Sequence, residues 1–256
     1  MQRFFNEYLK ETVKTMIYFL TSSPSVSVDG PINPANGFLD RLREALGNNP
    51  LHALFVTTYP DDAPWSEHCS DCMRKAFEDV GFKFASYVLL DRRTAPDVKK
   101  LMKQCDFLIL GGGHLPTQNT FLHELEMPKL IKKFKGVVLG ISAGTMNSAR
   151  MAYALPEEPG EPHDKNFARL RPGLGLTEWR ILPHFYMYKE LTVDGLRMYD
   201  DITIPHSRKY GIPFLYFPDG TYLVGQDGKE SDYGVYLGSQ DGTFCRVAEN
   251  GQKTLL

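Results

Sequence analysis

The chain has 256 residues, of which 42% are hydrophobic and 23% charged, and its 29 basic and 31 acidic residues leave a net charge of −2. That excludes a largely disordered chain and gives no electrostatic footprint for nucleic acid or an anionic membrane. No apolar run approaches the roughly 20 residues of a spanning helix, and a chain of this length buries a core without disulfides or metals.

The N-terminal segment is mixed and charged, unlike a signal peptide. It predicts a helix over about residues 2–14, with Phe4, Phe5, Tyr8, Leu9 and Val13 on one stripe. Strands follow at Met16–Leu20, His52–Thr58, Lys83–Leu90, Phe107–Leu110 and Gly136–Leu139. Between them, helices are expected at Asn36–Leu46, Trp65–Val80, Ala95–Gln104, Gln118–Leu125 and Pro128–Phe134. The strands are continuous apolar runs rather than alternating ones, as strands buried on both faces require. Strand–helix alternation predicts an α/β fold with a mostly parallel central sheet flanked by helices. A helix is expected at Thr145–Ala152, then a long exposed loop over 155–175, rich in Pro, Gly and charge. Later strands at Ile181–Leu182, Phe214–Phe217, Tyr222–Val224 and Gly234–Leu237, some antiparallel, complete one domain over 1–256. Four cysteines, Cys69, Cys72, Cys105 and Cys245, are too few for a disulfide framework and fit a reducing cytoplasm.

Gly140-Ile141-Ser142-Ala143-Gly144 has the strongest chemical content. It follows an apolar strand and precedes a helical pattern, the context of a G-x-S-x-G nucleophile elbow. The glycines let Ser142 project from a sharp turn, and the Ala143 amide then faces a developing oxyanion. A tight βα turn with a capping serine is the alternative. Gly111-Gly112-Gly113-His114 ends the preceding strand, and neighbouring strand ends of a parallel sheet share one ligand crevice.

A serine nucleophile needs a base and an orienting acid. Among the seven histidines, His52 and His123 sit within predicted elements, while His184 follows the Ile181-Leu182-Pro183 strand and is the preferred base. Glu157, Glu158 and Glu161 lie between Ser142 and His184 as candidate acids. Cys69-x-x-Cys72 has no second pair at zinc spacing, so neither a metal nor a cofactor is expected. Asp219-Gly220 is read first as a turn. Arg150, Arg169, Arg171, Arg180, Arg197 and Arg208 are candidate carboxylate binders.

Four blocks in order resemble the dipeptidase E family, serine peptidases of the aspartyl dipeptidase and cyanophycinase type. They are Leu110–His114, Gly140–Gly144, Leu182-Pro183-His184-Phe185 and Phe217-Pro218-Asp219-Gly220. The resemblance implies a class I glutamine amidotransferase-like (flavodoxin-like) fold with serine in place of the amidotransferase cysteine. It implies Ser142 as nucleophile, His184 as base and an acid in the loop after the elbow helix, best matched by Glu157 and next by Glu158. Oxyanion donors would be amides of Gly112 or Gly113 and of Ala143, with His114, Gln118 and Arg150 as substrate contacts. The implied activity is cleavage of short peptides through an acyl-enzyme, with acidic N-terminal residues as candidate substrates and a homodimer as an allowed assembly. Two departures bear on specificity. His114 stands where many relatives have asparagine, and Thr192–Arg197 replaces the arginine-rich stretch that follows the histidine block in bacterial aspartyl dipeptidases. Rival readings are an α/β-hydrolase esterase, disfavoured because the last histidine, His206, lies 50 residues before Leu256, and a non-catalytic small-molecule-binding member of the superfamily.

Overall fold

A computed structural model describes residues 15–25, 30–234, 236–240, 243–247 and 253–255, with side chains up to residue 234. The chain runs β1 (Ile17–Thr21), α1 (Phe38–Leu46), β2 (Leu51–Val56), α2 (Ala63–Asp79), β3 (Phe84–Leu90), α3 (Val98–Gln104), β4 (Phe107–Leu110), α4 (Leu115–Glu124), α5 (Met127–Leu130), β5 (Val137–Ile141) and α6 (Ala143–Ser148). It continues through β6 (Met151–Tyr153), β7 (Leu170–Pro172), β8 (Ile181–Leu182), α7 (Phe185–Glu190), β9 (Thr192–Val193), β10 (Leu196–Arg197), α8 (Ile204–Tyr210), β11 (Phe214–Tyr216), β12 (Tyr222–Gln226) and β13 (Lys229–Tyr233). The last strands are β14 (Tyr236–Gln240), β15 (Thr243–Val247) and β16 (Lys253–Leu255).

Seven strands form the central sheet in the order β13-β12-β1-β5-β4-β2-β3. The five from β1 to β3 are parallel, and β12 and β13 add an antiparallel edge. A second sheet, β16-β15-β14-β11-β8, has its one parallel pair at β8 and β11. The sheet buries both faces because successive side chains alternate. Leu54, Val56, Leu108 and Leu110 point to one core, while Ala53, Phe55, Phe107 and Ile109 point to the other. Phe77 of α2, fully buried, meets Phe82 and Phe107 edge-on at 5.5 Å, and its truncation to alanine is worth about 3–5 kcal/mol of stability.

Local signals set the helix ends. Asp62 accepts the Trp65 amide at the start of α2, and Gly81, at φ 93°, turns the chain after its end. The helix expected from Asn36 begins at Phe38, because Asn36 has φ 57° in a short 3-10 turn. The helix expected over Thr145–Ala152 ends at Ser148, and Met151–Tyr153 is a strand paired with Leu170–Pro172. The 155–175 loop is therefore not wholly exposed: Leu155 and Leu174 are buried at its two ends. Both differences arise from a pairing between residues 17–21 apart, which local periodicity does not register. The N-terminal helix expectation lies outside the described residues. No helix among the described residues is long and apolar enough to cross a membrane.

Candidate active site

The parallel strands β4 and β5 end side by side, and their C-terminal loops are Gly111–His114 and Ser142–Gly144. Ser142 adopts φ 49° and ψ −109°, an unfavourable conformation for a residue with a Cβ. The surroundings hold it there. Its amide donates to the carbonyls of Thr21 (3.2 Å) and Ser22 (3.1 Å), and its carbonyl accepts the Met146 amide at 3.0 Å. A Cβ on Gly144 would collide with the Leu110 carbonyl, so glycine lets α6 close onto the end of β4. The Ala143 amide opens α6, where a first-turn N–H has no acceptor within its own helix.

The glycine loop lies beside the serine. A Cβ on Gly112 would sit 3.3 Å from the Ser142 Cβ. Thr58 Oγ1 donates to the Gly112 carbonyl at 2.6 Å. A trans peptide then turns the Gly113 N–H to the opposite side from that carbonyl. Gly113 itself has φ 134°, and a Cβ there would strike Thr58 and Tyr59.

Beneath this loop is a buried amide network. Gln118 is fully buried, its Nε2 donating to the Gly111 carbonyl (2.9 Å) and its Oε1 accepting from Asn147 (3.0 Å). Asn119 donates to Asn147 Oδ1 at 2.9 Å, tying α4 to α6. Gln118, expected as a substrate contact, is thus spent on the scaffold, and the resemblance gave no sign of Asn147.

His184 comes from the second sheet. Leu182 of β8 pairs with Tyr216 of β11, so the residues just beyond both strand ends emerge together. These are His184 and Asp219. His184 Nδ1 bonds Asp219 Oδ1 at 2.8 Å. Ser22, at the end of β1, closes the arrangement: its Oγ accepts the His184 amide at 2.7 Å and donates to Asp219 Oδ1 at 2.6 Å. Burial alone would raise the Asp219 carboxyl, but the hydrogen bonds from His184 and Ser22 hold it below the usual carboxylate range. His184 adopts φ 50° and ψ 45°, the second strained residue of the site.

The carboxylate on His184 is therefore Asp219, not Glu157 or Glu158 as expected. The loop after the elbow helix is near in sequence, whereas the sheet pairing delivers a residue 35 positions beyond the histidine. The signal that could have found it is the likeness of the two segments: each is a short apolar strand followed by Pro and then a polar residue. Ser22 had no comparable signal.

Two cavities flank Ser142 and His184. One, of about 370 Å³, is lined by Phe55, Tyr59, Trp65, Cys69, Met73 and Ile141, with Gly112, Gly113 and Asp219 at its polar side. The other, of about 340 Å³, is lined by Tyr59, His114, Glu157, Glu158, Met187 and Tyr188. Burial pushes the Glu157 carboxyl up to about 6, against the pull of a hydrogen bond from Tyr188 and of His114. His114 places Nδ1 at 2.7 Å from Thr117 Oγ1 and Nε2 at 3.0 Å from Glu161 Oε1. His114, Glu158 and Glu161 bring their donor atoms within 4.8 Å of one another, a donor set suited to a divalent cation, although Glu158 is exposed. Arg150, expected as a substrate contact, is on the surface, paired with Glu178 at 2.8 Å and lining neither cavity. His52 and His123 are engaged with Ser86 and the Pro172 carbonyl, as structural histidines.

The chain matches the model of peptidase family S51 over residues 19–230. No curated protein matches it significantly. Among solved structures, a peptidase from an acI-B1 Actinobacterium superposes with a TM-score of 0.62 at 14% identity, covering 95% of this chain and 97% of that one. A putative peptidase E protein from Listeria monocytogenes EGD-e gives 0.56 at 17% identity, covering 85% and 97%. At those identities the structures speak for the fold, and the family match over most of the chain speaks for its kind. The protein belongs to peptidase family S51, the serine peptidases of the dipeptidase E type.

Proposed function

We propose that this peptidase cleaves short peptides by acyl transfer to Ser142, with His184 as general base and Asp219 as the carboxylate that orients it. The observation that carries this reading is the 2.8 Å hydrogen bond from His184 Nδ1 to Asp219, in a cavity that Ser142 also lines. A neutral imidazole protonates one nitrogen. With Nδ1–H spent on Asp219, Nε2 keeps the lone pair that takes the Ser142 proton.

The Ser142 oxygen then attacks the scissile carbonyl, and its C=O electrons move onto oxygen. The amides of Gly113 and Ala143 stabilise that oxyanion; one such donor is worth about 3–4 kcal/mol of barrier. Collapse breaks the C–N bond, and His184 returns the proton to the leaving amine. Water, deprotonated by His184, hydrolyses the ester and restores Ser142. Asp219, held ionised, stabilises the imidazolium in both halves.

Cavities of about 370 and 340 Å³ on the two sides of Ser142 suit a ligand of a few residues. Four cysteines in 256 residues are too sparse for a disulfide framework, the ground for proposing a place in the cytoplasm. The test is a fluorophosphonate probe with a dipeptide panel read by amine release. Probe labelling at Ser142 with peptide turnover is expected. Turnover retained by Ser142→Ala overturns the assignment.

A further inference from the structure

We propose that the substrate is an unblocked short peptide with a large apolar side chain, and that Glu157 holds its α-ammonium. The proposal rests on Ser142 as the nucleophile. It concerns a carboxylate the mechanism leaves unused: Glu157 lines the same cavity as Ser142 and His184, yet the carboxylate on His184 is Asp219.

The charge around this cavity is one-sided. Glu157 and Glu158 line it, and Glu161 stands behind His114. Among the described residues no lysine or arginine lines either cavity. The two histidines at the cleft already face carboxylates, His184 that of Asp219 and His114 that of Glu161. A second carboxylate entering here meets like charge and no donor fork, whereas an ammonium finds the carboxylates of Glu157 and Glu158.

Glu157 is placed for such a group. It is half-buried and lines the cavity next to Tyr188, Ser142 and His184. Tyr188 is itself buried and packs within 6.2 Å of the His184 ring, so one helix, α7, brings an aromatic wall and the base to the cavity that Glu157 lines. An ammonium placed on Glu157 therefore sits in the same cavity as Ser142. Burial that raises a carboxyl also strengthens its pairing with a cation, since the pair forms away from water.

The opposite cavity sets the side chain. Trp65, Cys69 and Met73 recur every four residues along α2 and so present one face, which Phe55, Tyr59 and Ile141 complete. Apolar surface buried there supplies affinity, and beside the hydroxyls of Ser23 and Ser25 no lysine or arginine among the described residues offsets the lost hydration of an acidic side chain.

The experiment compares Phe-Ala, Ala-Phe, Asp-Ala and Ala-Asp with their N-acetyl forms on wild-type, Glu157→Gln and Tyr188→Phe enzymes. The fluorophosphonate probe monitors Ser142 throughout. Expected are kcat/KM values at least about 10-fold higher for a Phe peptide than for either Asp peptide, and at least about 10-fold higher for free than for acetylated forms. Glu157→Gln should raise KM for free peptides about 10-fold, leave kcat within about 2-fold and erase the preference for a free N-terminus. Tyr188→Phe should do the same more weakly. Preference for Asp-Ala, or a Glu157→Gln enzyme that loses kcat with KM unchanged, overturns the inference while Ser142 stays labelled. A wild-type enzyme that neither takes up the probe nor turns over any peptide overturns both this inference and the reading of Ser142.

Discussion

The two ends of the parallel sheet differ in kind. At the N-terminal ends of β4 and β5 opens the larger cavity, about 650 Å³, lined by Lys99, Lys103, Lys133, Lys135 and Cys105. Burial pushes the Cys105 thiol up to about 12, so it stays protonated and inert. At the C-terminal ends the cavities are smaller, but the backbone is strained at Ser142 and His184, and Ser22, His184 and Asp219 are joined by hydrogen bonds. Volume alone does not make a site. What distinguishes the working end is strain held in place by hydrogen bonds, because only a rigid surround keeps an unfavourable dihedral.

The sharpest break of this contrast is at the proposed nucleophile. Ser142→Ala should lower kcat by about 10⁵–10⁶-fold with the melting temperature unchanged within about 3 °C, measured by stopped amine release and thermal melts. Lys103→Ala and Lys133→Ala at the other end should leave kcat/KM within about 2-fold. Next in size, Asp219→Asn should cost about 10⁴-fold in kcat, because an amide no longer enforces the tautomer with a lone pair on Nε2. Near-normal kcat in that variant would return the orienting role to another carboxylate. Gly113→Ala should cost about 10²–10³-fold in kcat, since a Cβ there displaces the loop against Thr58 and moves the proposed oxyanion donor.

The smallest effects belong to Glu157. Its folded carboxyl is raised, so the folded state holds this proton longer than the unfolded chain does. Its contribution to stability is therefore best below the unfolded value of 4.5 and is lost as pH rises to about 6. Glu157→Gln should raise stability at pH 7 by about 1 kcal/mol, with the gain fading below pH 4.5, measured by urea melts across that window. KM for unblocked peptides should rise as pH falls below about 6 in the wild type and stay flat in Glu157→Gln.

Much of this molecule was readable from short segments. The runs Phe107–Leu110 and Val137–Leu139 were legible as strands because they are apolar on both faces, and the elbow because its glycines sit where a Cβ would strike a neighbouring backbone. The same locality misled at Glu157, close to Ser142 in sequence, while the carboxylate bonded to His184 is Asp219. It misled again at Gln118, polar by composition yet closed inside an amide network.

The sequence by itself determined the alternation of strands and helices, the elbow and the histidine block, since each rests on residue size, periodicity and glycine placement within about ten positions. Only the tertiary structure decided which carboxylate serves the histidine and what charge lines the cleft. Ser22, Ser142, His184 and Asp219 meet because four strand ends lie together in space, and a hydrogen bond depends on that proximity and not on separation along the chain.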